Sequence, residues 1–79
     1  MKNWKRQIRL KDIINSRPEL EDIDDLPINI AEEICEILEK DSELNIFSDN
    51  IRSCQTVEEF NQAMDDVYDY CDDNKILIN

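Results

Sequence analysis

Histidine and glycine are both missing from this 79-residue chain. Without histidine there is no imidazole base. The three cysteines, Cys35, Cys54 and Cys71, lie 19 and 17 residues apart with no C-x-x-C pair, so no zinc site is expected. Average usage would supply about five glycines. Their absence removes the P-loop and the dinucleotide fingerprint, both of which need glycine where backbone meets phosphate. It also removes the EF-hand loop, with its glycine at the sharp turn. Turns must therefore rely on Asn, Asp, Ser and the two prolines. No apolar run is long enough to cross a membrane, and no signal-type apolar region follows the charged start. The expectation is a cytoplasmic protein (the host cell's cytoplasm if phage-encoded), with Cys35 and Cys71 as reduced core thiols.

Cations are scarce as well: nine Lys and Arg stand against twenty Asp and Glu, a formal net charge of −11. The aromatics are one Trp, two Phe and two Tyr, within an apolar fraction of 41%. That is enough for one small core and argues against disorder. One domain covering residues 1–79 is expected. At this length only about 60% of the unfolded surface is buried, so stability is marginal.

Along the chain, "NWKRQIRL" (3–10) alternates. Trp4, Arg6, Ile8 and Leu10 share one face of a short strand, and Lys5, Gln7 and Arg9 share the other. "KDIIN" (11–15) reads as a turn or as one helical turn. "SRPELEDIDDL" (16–26) is an acidic linker in which Leu20, Ile23 and Leu26 reach the core at three-residue spacing. The first amphipathic helix spans 27–40, with Pro27 in its first turn and Ile28, Ile30, Ala31, Ile34, Cys35, Ile37 and Leu38 on the apolar half. A short middle helix is expected around Ile46, Phe47, Ile51 and Cys54. The second amphipathic helix spans 56–73, opened by a capping box of Thr56 and Glu59. Asn74 is expected to end it in a left-handed conformation. "KILI" (75–78) then forms a strand that pairs with the N-terminal one. The fold class is thus mainly α, a small α+β domain with a strand pair from the two terminal segments.

Charge is segregated. Residues 1–17 carry Lys2, Lys5, Arg6, Arg9, Lys11 and Arg17 against Asp12; residues 18–79 carry Lys40, Arg52 and Lys75 against the other nineteen acids. The basic segment is expected to lie beside acidic surface of its own chain.

The stretch "MDDVYDYCDDNK" (64–75) holds five aspartates within nine residues. Asp65, Asp69 and Asp72 fall at i, i+4 and i+7 in one helical row, and a row on one straight helix cannot wrap an ion, so no metal is expected. These carboxylates face water and have no nucleophile or base beside them, so no enzyme activity and no cofactor are expected. The remaining choices are a solvated face or a recognition surface. An amphipathic helix must place something polar outside, yet this face is almost purely of one sign. Asp65–Asp69 and Asp69–Asp73 are like-charged i,i+4 pairs, which weaken a helix. Seven carboxylates along about 24 Å of helix give roughly one per 3.5 Å, close to the spacing of about 3.4 Å along one DNA strand. Such a row attracts Lys/Arg-lined surfaces that hold nucleic acid. The candidate partner-binding residues are Glu58, Glu59, Asp65, Asp66, Asp69 and Asp72, with Glu32, Glu36 and Glu39 on the first helix as a second patch; the 19–25 acid cluster of the linker extends the same pattern. The charge repels phosphate, so the chain is not expected to bind nucleic acid directly, nor a membrane.

In overall character (small, strongly acidic, without Gly or His, rich in Ile, Asn and Asp) the chain is similar to small phage or mobile-element proteins. Some of those are DNA mimics with anti-defence roles against restriction, CRISPR or transcription machinery. Small immunity proteins that cap a toxic nuclease share the same look. The likeness covers the whole chain, rests on no motif and carries no residue across. It implies a non-enzymatic inhibitor that occupies a basic, nucleic-acid-binding surface of a protein partner. The alternative is a small structural or assembly subunit that works through homo- or hetero-oligomerisation.

Overall fold

A computed structural model describes residues 3–79. Lys2, counted above in the basic segment, lies outside the described residues. The chain runs β1 (Arg6–Ile8), α1 (Lys11–Asn15), a 3-10 turn (Pro18–Glu21), α2 (Ile28–Glu39), a second 3-10 turn (Asn45–Phe47), α3 (Ser48–Ser53), α4 (Val57–Asp73) and β2 (Ile76–Ile78). The mainly helical α+β class read from the sequence is the one observed, with the strand pair formed by the two terminal segments.

The two strands are parallel, with Arg6 opposite Ile76, Gln7 opposite Leu77 and Ile8 opposite Ile78. Parallel neighbours cannot be joined by a hairpin, so the connection between them carries all four helices. Lys5 N–H donates to the Lys75 carbonyl (2.7 Å), and Asn79 N–H to the Ile8 carbonyl (2.9 Å). Asp12 N–H donates to the Asn79 carbonyl (2.9 Å), tying the end of β2 to the start of α1. The strand is shorter than the alternation suggests. Ile8 and Leu10 are buried as expected, but Trp4 is 41% exposed, because pairing runs out before it reaches that residue.

Helix α2 starts one residue later than expected. Pro27 stands at its N-cap with extended ψ, and its carbonyl accepts the Ala31 N–H (3.2 Å). Ile28 is 75% exposed rather than buried. It shares a row with Cys35 but sits two turns nearer the helix start, past the edge of the core. Ile46, expected in the middle helix, is 65% exposed, and Leu44 is buried in its place. The Asp41 carboxylate sets that turn: its Oδ1 accepts the N–H groups of Glu43 (2.9 Å) and Leu44 (3.2 Å), which turns Leu44 inward.

Helix α4 matches its pattern, burying Val57, Phe60, Met64, Val67 and Cys71. Thr56 Oγ1 accepts the Glu59 N–H (3.1 Å). The returning Glu59 Oε1 accepts the N–H of Gln55 (3.3 Å) rather than that of Thr56. The left-handed residue at the far end is Lys75 (φ 60°), not Asn74, whose φ is −103°. Asn74 is the C-cap, so the reversal falls one position later, and the Lys75 N–H donates back to the Asp72 carbonyl (3.3 Å).

The main core gathers Leu10, Ile34, Leu38, Leu44, Ile51 and Phe60 around the two thiols Cys35 and Cys71. Burial pushes both thiols up, Cys71 to about 11, so neither is a thiolate near neutral pH. A second cluster of Leu20, Ile30 and Val57 lies under the acidic linker. There Leu26 N–H donates to the Gln55 carbonyl (3.0 Å) and Val57 N–H to the Asp24 carbonyl (2.8 Å). This antiparallel bridge between Asp25 and Thr56 holds the linker against the start of α4.

Candidate protein-binding surface

The apolar stripe of α4 faces the core, so its polar stripe must face water. Glu58, Glu59, Asp65, Asp66, Asp69 and Asp72 are all exposed, as are Glu32, Glu36 and Glu39 on α2. The two groups are not one continuous row. Helix α2 packs chiefly on α3 and the turn before it, while α4 packs on β2 and α3.

The surroundings separate these acids further. Glu58 and Asp65 edge an open groove of about 890 Å³ between α4 and the 14–24 segment. Asp69 and Asp72 edge a smaller cleft of about 380 Å³ with Trp4, Lys11 and Tyr68. In that cleft Lys11 Nζ lies 5.1 Å from the Tyr68 ring centroid, a cation–π contact. Glu59 is engaged as the cap of its own helix. Glu39 is tied to Arg52. That pair removes one negative charge from the α2 patch, whereas Glu58, Asp65, Asp66 and Asp69 form no ion pair among the described residues.

All four arginines are engaged, each with acids elsewhere. Arg6 grips Asp41 with two parallel bonds, Nε to Oδ2 (3.0 Å) and Nη2 to Oδ1 (2.8 Å), and reaches Glu43 Oε1 (3.1 Å). Arg9 pairs with Asp12 (3.6 Å), Arg17 with Glu33, and Arg52 with Glu39. None of these pairs touches the outward acids of α4. The expectation that the basic segment lies beside the chain's own acids is met at Arg6, Arg9 and Arg17.

The Arg6 cluster joins four side chains, Arg6, Asp41, Glu43 and Tyr70. Tyr70 Oη donates to Glu43 Oε2 (3.2 Å), and the Tyr70 ring packs edge-on against Phe47 at 5.4 Å between centroids. Burial works to raise the Asp41 carboxyl. The Glu43 N–H, the Arg6 guanidinium and the Leu44 N–H together outweigh it and hold Asp41 below its ordinary value. Arg6 and the Tyr70 hydroxyl lower Glu43 as well. The cluster ties β1 and α4 to the turn at Asp41–Glu43.

Sequence reasoning places Glu21 and Asp24 in an acidic linker cluster that extends the pattern of α4, but does not set them face to face with that helix. The structure brings both to the wall of the large groove, opposite Glu58 and Asp65. The available signal was the three-residue spacing of Leu20, Ile23 and Leu26, which marks the linker as packed. Among the described residues, no three Cys, Asp or Glu side chains converge closely enough to share a metal ion. No helix among them is long and apolar enough to cross a membrane. Comparison with family models, characterised proteins and solved structures gives no match.

Proposed function

We propose that this is a non-enzymatic acidic binding protein that occupies a basic, nucleic-acid-binding surface of a protein partner and inhibits it. One observation carries the reading. Every arginine is paired with an acid away from the outward row of α4, and in that row Glu58, Asp65, Asp66 and Asp69 form no ion pair among the described residues. Stability alone favours compensating such a row, since like charges at i,i+4 oppose helix formation. An uncompensated row is an attractor for cations supplied from outside. It speeds encounter with a Lys/Arg-lined groove and makes binding salt-dependent.

The test is capture of partners from a lysate of the source cell on the immobilised protein, eluted with a salt gradient and repeated with excess duplex DNA or RNA. A nucleic-acid-handling protein should bind, leave at moderate salt and be displaced by the nucleic acid. The D65K/D69K variant should keep its fold, because the cation introduced at the second position gains an i,i+4 partner in Asp73. It should bind that protein about tenfold more weakly or worse. Unchanged affinity in this variant would sink the acidic-face reading.

The exposure of Ile28 and Ile46 favours a second reading, assembly into an oligomer through apolar surface. Sedimentation decides between them: a salt-resistant oligomer supports assembly, and a salt-resistant monomer supports the inhibitor.

A further inference from the structure

The groove between α4 and the 14–24 segment has a specific build. Its floor is apolar, made by Ile14, Leu20, Ile23 and Val57. Its walls are acidic on both sides, Glu21 and Asp24 on one and Glu58 and Asp65 on the other. Asn61 and Gln62 add side-chain amides on the helix side. Arg17, the only cation lining it among the described residues, has its Nη2 bonded to Glu33, outside the groove, so the wall carboxylates are not neutralised from within. At about 890 Å³ the groove lies at the upper end of the range for ligand-sized clefts. The bridge between Asp25 and Thr56 braces the groove, so an occupant finds it already shaped.

We propose that this groove docks a cationic amphipathic segment of the partner protein, with apolar side chains on the floor and Lys or Arg on both walls. The inference rests on the acidic-binding reading above and specifies the partner's chemistry. A bare phosphate-like row would ask only for positive charge. A groove with an apolar floor between two acidic walls asks for apolar anchors flanked by cations, the pattern by which an amphipathic segment enters a groove. Nucleic acid and anionic lipid are repelled by the walls. A second copy of this chain, itself at net −11, is repelled too.

The experiment measures fluorescence anisotropy of a fluorescein-labelled leucine–arginine peptide with helical amphipathic spacing, titrated with the intact protein. The control peptide has serine in place of each leucine and the same charge. The leucine–arginine peptide should bind at least about tenfold more tightly than the control. D65K and E21K, on opposite walls, should each weaken it about tenfold, while D49K, the same charge change on α3, should alter it less than about threefold. Circular dichroism melts establish that each variant is folded, and two walls give two independent chances to read the effect. Equal binding of the two peptides, or equal loss in D49K and D65K, would overturn the groove and leave the general acidic surface standing. Binding of neither peptide overturns the groove, and lysate capture then judges the acidic face separately. Concentration-dependent dimerisation abolished by D65K also overturns it, by assigning the groove to a second copy.

Discussion

Asp41 joins the start of the chain to the turn after α2. Its carboxylate receives two parallel bonds from Arg6 and two backbone N–H groups, and its side chain is only 14% exposed. Removing it leaves two turn donors without their acceptor and takes two of the three side-chain bonds from the Arg6 guanidinium. D41A should cost about 2 kcal/mol at neutral pH, a fall in Tm of about 10 °C by thermal melt. The same site governs the acid limb. The folded-state pKa of Asp41 lies below its ordinary value, so its stabilisation is complete above that value and fades as pH falls through the folded one. Wild type should therefore lose more stability than D41A between about pH 4 and pH 2. Lys75 makes the opposite case, since a side chain at φ 60° is mildly strained. K75G should raise stability by about 1 kcal/mol in the same melts. Neither residue could be assigned these roles from sequence. Arg6 was legible as sharing a face with Ile8, but its partner lies 35 positions away, and only folding sets that distance.

Among the elements, α4 was legible because it carries all its signals locally. Its apolar positions recur at helical spacing over 17 residues, and Thr56 with Glu59 marks its start. T56A should destabilise by about 1 kcal/mol, since the Glu59 N–H loses its acceptor. A denaturant titration would show this as a lower midpoint with an unchanged slope. Helix α2 was equally legible in type but not at its first residue, because periodicity cannot say where a core ends. Ile28 satisfies the pattern and still points into water. The segment from Asp41 to Ser53 was hardest. Its geometry depends on a side-chain-to-backbone cap at Asp41 rather than on a period, and so Leu44 is buried where Ile46 was expected.

Across the whole molecule, electrostatics and burial pull in opposite directions. A net charge of −11 on 79 residues repels itself, while the core is small. Raising NaCl from about 0.05 M to about 0.5 M shortens the screening length to under about 5 Å, so Tm should rise. A fall in Tm would mean that the Arg6, Arg17 and Arg52 pairs outweigh the repulsion. The candidate site was legible at this scale as a sign and a face. The acids of α4 were identified residue by residue, and all are exposed. The groove was not legible, because one of its walls comes from the linker.

By itself, the sequence determined the two long helices, the pairing of the terminal segments, the identity of most core side chains and the outward acidic row. Each of these follows from local periodicity and from the side chains' own preference for water or core. Only the tertiary structure decided that the strands run parallel, that Arg6, Arg17 and Arg52 are matched to Asp41, Glu43, Glu33 and Glu39, and that Glu21 and Asp24 stand across from Glu58 and Asp65. Those are relations between residues far apart in the chain. They are set by how the apolar faces close over Leu20, Ile30 and Val57 at one end and Phe60, Leu44 and Ile51 at the other, which no single segment encodes.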